Sequence, residues 1–155
     1  MTSNLLTEGR QALLQRLQTI TPGNGYRTAA GNNVRSGWLN ELLQREHCGF
    51  PLIVLQHGKG GSAPRAGAGA IRLDQGFNVI GAVDVGLESY QDALDDLQLD
   101  LLQALLPGAG RPLDWAPPGI SGLTLGAPEA FPPGDGQRAA CILIPLQLHP
   151  IIRTA

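Results

Sequence analysis

Between Gln75 and Leu106 the hydrophobic period of the chain changes once, and that change constrains the fold more than any other feature. Phe77, Val79, Gly81, Val83 and Val85 alternate with Asn78, Ile80, Ala82 and Asp84, which is the period of a strand. Both sets are largely apolar, so a central strand covered on at least one face is expected. Gly86 breaks the run. From Leu87 the spacing turns helical: Tyr90, Leu94, Leu97, Leu101 and Leu105 form a stripe that Ala93, Leu102 and Leu106 widen. Asp92, Asp95, Asp96 and Asp100 are expected together on the opposite, exposed face. Pro107 and Gly108 stop the helix. An apolar face of this length has to pack, and the neighbouring sheet is the nearest surface for it.

The chain of 155 residues is short enough for one domain, residues 1–155, and its 43% hydrophobic content can fill a core. Its 21 glycines and 12 prolines require that much of it be loop. The net charge of −2 argues against non-specific binding to nucleic acid, but the charges are divided. Residues 1–72 hold eight Arg or Lys and three acids, whereas residues 73–110 hold seven acids and no base. The division reads either as a solvated helix face or as two halves of a subunit contact. On the second reading Asp92, Asp95, Asp96 and Asp100 form one candidate partner surface, and Lys59, Arg65 and Arg72 form the other.

Cys48 and Cys141 show no CxxC spacing and read as two buried free thiols. The N-terminal stretch lacks the basic-then-apolar layout of a signal peptide, and no run reaches the ~18 apolar residues of a membrane span. A soluble chain made in the cytoplasm, with no membrane partner, is the expectation.

Taken in order, residues 4–19 should form a first helix, capped by Ser3 or Thr7 and docked through Leu5, Leu6, Leu13, Leu17 and Ile20. Pro22, Gly23 and Gly25 end it. A short strand is expected around Asn33–Ser36, and Trp38 to Glu46 holds a helical turn or two. Leu52–Leu55 is a buried strand that forms a long hairpin with Gln75–Val85. Residues 58–70, nearly free of large side chains, are expected to be a mobile loop. Ile120–Leu125 and Arg138–Leu148 complete the strands, separated by a Gly/Pro-rich loop at 126–136. Pro145 should sit on an edge or at a bulge. The expected fold class is α+β, with two principal helices on a mostly antiparallel sheet in the order α-β-β-β-α-β-β.

Known catalytic patterns do not fit. His57-Gly58-Lys59-Gly60-Gly61-Ser62 fails the phosphate-loop spacing, because Gly60 follows the lysine and no helix comes next. His47, His57 and His149 share no metal-ligand spacing. Cys48 beside His47 would point away from it in a strand. The helix carboxylates lie where burial cannot tune them. The sequence therefore reads as a non-enzyme without cofactor or metal.

Residues 19–37 carry a more specific signal. Ile20, Thr21, Asn24-Gly25-Tyr26, Thr28, Gly31, Val34 and Gly37, followed by Phe50-Pro51-Leu52-Ile53-Val54, resemble a run found in minor tail proteins of tailed bacteriophages and prophages. Asn24, Gly25 and Tyr26 form the motif turn. Where that family often has an acid just before the glycine, this chain has Ala29-Ala30. The group is similar to tail terminator, or tail completion, proteins. The resemblance implies helices on an antiparallel sheet and a structural virion protein capping the tail tube as a ring, usually of six. The implied partners are further copies of the chain, the tail tube protein and the head–tail connector, with DNA passing through the ring without sequence-specific binding. The implied location is the virion tail. Another connector or tail-assembly component, or more distantly a small cytosolic ligand-binding protein or enzyme, remains open.

Overall fold

The computed structural model describes residues 4–44, 49–86, 89–106, 113–131 and 139–154. The fold is α+β: the described residues form three helices and an eight-stranded, mostly antiparallel sheet. Helix α1 (Leu5–Leu17) is capped by Asn4, whose side chain accepts from the Leu6 amide, so Thr7 lies inside the helix. After it come β1 (Val34–Ser36), α2 (Leu39–Gln44) and β2 (Leu52–His57). Next are β3 (Arg65–Gly67), β4 (Ala70–Arg72) and β5 (Gln75–Asp84), then α3 (Tyr90–Leu105). The chain ends with β6 (Ile120–Leu125), β7 (Glu129–Phe131) and β8 (Ala139–Arg153). Ser3, His47, Cys48, Leu87, Glu88, Pro107, Gly108 and residues 132–136 of the 126–136 loop lie outside the described residues.

β5 and β8 form the spine of the sheet. Ten consecutive pairs join them, from Gln75 opposite Leu148 to Asp84 opposite Ala139. β2 lies on the far side of β5, and β1 joins β2 in parallel at the edge. β4 continues the β5 register on β8 without a shift, since Arg72 faces Ile151 and Gln75 faces Leu148. The amide of Leu73 bridges the interruption by donating to the Pro150 carbonyl. β8 therefore runs to Arg153, past the expected end at Leu148.

Alternation along β8 divides the core. Ala140, Ile142, Ile144, Leu146 and Leu148 point to the face covered by α1 and α3, where they meet Leu13, Leu17, Leu97 and Leu101. Ala139 and Cys141 point the other way, into a smaller cluster with Leu52, Val54, Ile80 and Ala82, closed by Leu42 of α2. A third helix on the second face thus adds to the two expected on the first. Burial also pushes the Cys141 thiol up, leaving it an inert core residue.

Pro145 lies inside the sheet, not at its edge. Its carbonyl accepts from the Gly126 amide, on the side where β6 has ended and β7 has not begun. Pro150 lacks its N–H on the opposite side, where β4 and β5 are interrupted. Each proline thus sits where a neighbouring strand asks for no donor.

From residue 65 to 72, overlapping the stretch 58–70, the structure holds a hairpin, β3 and β4, where sequence composition indicates only a loop up to residue 70. Backbone pairing to β8 supplies what the small side chains lack. Its two-residue turn puts Ala68 at φ 52° and Gly69 at φ 74°, the geometry of a type I′ turn. Alanine is strained at that φ. Ala68→Asn is expected to stabilise the hairpin by about 0.5–1 kcal/mol. Slower amide exchange over Arg65–Arg72 would register the gain, and unchanged exchange would count against it.

Candidate functional site

The run of residues 19–37 folds into a tight connection between α1 and β1. A 3-10 turn at Pro22–Asn24 ends in Gly25 at φ 90°, and the Asn24 side chain donates to the Thr19 carbonyl. Tyr26 is half-buried against the main core. The next two residues converge on one carboxylate. The Arg27 amide reaches both oxygens of Asp100, at 3.0 and 3.1 Å, and the Thr28 amide and hydroxyl each donate at 2.8 Å. Asp100 is fully buried.

That placement corrects the expectation that Asp100 belongs to the exposed acidic face. Asp100 stands three residues after Leu97 and four before Ala104, both buried, so the helix turns it inward. Four hydrogen bonds replace its water. The Arg27 side chain then reaches Asp96 at 4.0 Å, on the exposed side of the same helix. Gly31 seals the connection from below, its amide donating to the Ile20 carbonyl at 2.8 Å.

The outer stripe of α3 is therefore Asp92, Asp95, Asp96, Leu99 and Gln103, with Leu106 just past the helix end, all exposed. Leu99 retains 46% of its surface and Leu106 49%, high values for leucines on a packed helix. Below the helix, a Cβ on Gly81 would stand 2.6 Å from Leu97, which explains the glycine in a central strand.

Lys59, Arg65 and Arg72 lie away from this helix, on the segment around the β3–β4 hairpin, and all three are exposed. There the structure assembles a polar network that the sequence did not announce. His149 Nδ1 lies 2.9 Å from Asp74, and its Nε2 lies 2.7 Å from the Thr124 hydroxyl. Asp74 also accepts from the Ser62 amide and hydroxyl, and Arg65 stands 3.9 Å away and donates to Ser62. The bond from the Ser62 amide, then its hydroxyl, then His149 hold the Asp74 carboxyl well below the usual range. The order carboxylate, imidazole, hydroxyl is shared with nucleophile-activating triads. Here it ties together the β4–β5 junction, β6, β8 and the segment at Ser62. Only pairing could have revealed it: residues 74 and 149 face each other when the β5–β8 register is extended one step.

A folded-state pKa below the unfolded value contributes stability above about pH 4, which is lost as pH falls towards the folded pKa. Wild type should therefore melt well above Asp74→Asn at pH 6, and the gap should close steadily below pH 4. A gap independent of pH would mean that the network contributes through shape alone.

An open groove of about 650 Å³ lies between Leu5 and the strand ends at Gly119–Ser121 and Ile151–Arg153, lined mainly by apolar and backbone atoms. Among the described residues no three His, Cys, Asp or Glu gather as metal ligands would. No helix among them is long and apolar enough to cross a membrane. No protein-family model matches the sequence, and no curated protein matches it.

Proposed function

We propose that this chain is a structural subunit of a phage or prophage tail, closing the tail tube as a ring of copies, six by the resemblance, and offering the surface for head attachment. The observation that carries the reading is the construction of residues 19–37. The segment bearing the tail-protein resemblance spends its polar groups on its own architecture. Thr28 and two amides are committed to Asp100, Asn24 to the Thr19 carbonyl, and Gly31 to the end of α1. Such a segment is a scaffold shaped to hold neighbouring surfaces in place.

The charge layout supports the same reading. A ring needs two unlike surfaces on each copy, and α3 and the β3–β4 hairpin supply an acidic one and a basic one. Native mass spectrometry of the purified chain and imaging of assembled tails test the proposal. Rings in solution and on tail ends are expected. A symmetric dimer, with no ring on any tail, would refute it.

A further inference from the structure

Three arginines gather at one end of the sheet. Arg65 of β3 stands directly opposite Arg72 of β4, and Arg153 of β8 pairs with Ala70, two residues along. Alternation puts all three on the same face as His149 and Asp74, and all three are exposed. Like charges directly opposed on a sheet repel. The anion nearest Arg65 is Asp74, already engaged by Ser62 and His149. Among the described residues neither Arg72 nor Arg153 has an ion-pair partner.

The other end of the spine carries the complement. β5 ends at Asp84, opposite Ala139, and α3 starts six residues later. Asp92, Asp95 and Asp96 therefore lie near the Ala139 end of β8, while the arginines lie at its Arg153 end. Fifteen residues of strand separate these ends, about 45 Å if straight. They also lie on different faces, since α3 covers the main core. Within one copy the two groups stay apart.

We propose that the arginine face of one copy, Arg65, Arg72 and Arg153, receives the α3 stripe of a second copy, with Asp92, Asp95 and Asp96 as counter-charges and Leu99 as the apolar centre. The contact rests on the ring reading above and gives it a geometry. It joins unlike surfaces, so it repeats head to tail. The dimensions agree: adjacent strands are about 4.8 Å apart, and Asp92 to Asp96 spans about 6 Å of helix. Exposed Leu99 supplies what charge alone lacks, a centre that excludes water.

Two charge-reversed chains test the contact: Arg65→Glu with Arg72→Glu, and Asp92→Lys with Asp95→Lys. Each alone, shown to be folded by circular dichroism, should lose self-association at least tenfold by analytical ultracentrifugation. The equimolar mixture should recover mixed assemblies. Should a reversal prevent folding, Arg65→Gln with Arg72→Gln and a salt titration of wild type replace it, with weaker association expected in both. Reversed chains that associate like wild type, a mixture that recovers nothing, or a wild type that stays monomeric would overturn the proposal. So would an arginine variant that assembles normally but loses binding to a duplex DNA probe, since the arginine face would then serve a polyanion. Rings indifferent to reversal would remove this contact and leave the tail reading standing. Reversal-sensitive assemblies that never cap a tail would do the opposite.

Discussion

Replacing Asp100 by alanine is expected to cost about 3–4 kcal/mol, a large part of the ~5–15 kcal/mol that holds a domain together. The loss has two sources. Three donors, the Arg27 and Thr28 amides and the Thr28 hydroxyl, lose their shared acceptor inside the protein. Each donor left unsatisfied costs about 1–3 kcal/mol, less whatever water can enter. The connection from α1 to β1 then loses its buried anchor on α3, keeping only the exposed Arg27–Asp96 contact among the described residues, so Tyr26 and Gly31 loosen with it. Asp100→Asn should be milder, because an amide oxygen accepts some of these bonds while its NH2 faces donors. Asp96→Asn, four residues away and half-exposed, should stay within about 0.5 kcal/mol of wild type. Urea denaturation of the three variants measures the series. Equal midpoints for Asp100→Ala and Asp96→Asn would refute the anchoring role.

The second large effect is expected at Gly31. A Cβ there would stand 2.6 Å from the carbonyl oxygens of Gln18 and Ile20 and 2.8 Å from the Ile20 amide nitrogen. All three are backbone atoms at the end of α1, so no side chain can turn aside to make room. Gly31→Ala must push the connection away from α1 and stretch the bond from the Gly31 amide to Ile20. About 2–3 kcal/mol of destabilisation follows from overpacking of this kind. Gly23, eight residues earlier in the same run, has nothing within 4 Å of its would-be Cβ. Gly23→Ala should therefore be neutral or slightly stabilising, by the lower entropy of the unfolded chain. Thermal melts of the pair separate a spatial requirement from a general intolerance of substitution in this run.

How much of this was legible beforehand depends on the reach of the interactions. The β5–α3 unit was readable because its burial pattern is local: the period changes at Gly86, and packing follows the period. The hairpin of β2 with β5 was readable for the same reason. Asp100 escapes a reading by residue type, which puts a carboxylate on the exposed face, because its position decides its burial. The spacing from Leu97 and to Ala104 already put it on the buried rows of the helix, and the donors that make burial tolerable lie 72 and 73 residues earlier. β3, β4 and β7 carry few large side chains, so no hydrophobic period marks them, and only pairing makes them strands, β4 and β7 to β8 and β3 to β4. The Asp74–His149 pair is a consequence of register, which no single segment contains.

The two prolines of β8 have a consequence for how the sheet finds its frame. Sliding β8 by two residues would keep every side chain on its own face, so the hydrophobic pattern alone raises no objection. The prolines do. A slip would carry Pro150 opposite Gln75 or Ile71, or Pro145 opposite a paired residue of β6 or β7, and leave a ladder carbonyl without a donor. Because they are an odd number of residues apart, one proline proofreads the β4–β5 side and the other the β6–β7 side. The strand that β4, β5, β6 and β7 must all find thus carries its own alignment marks, one for each side.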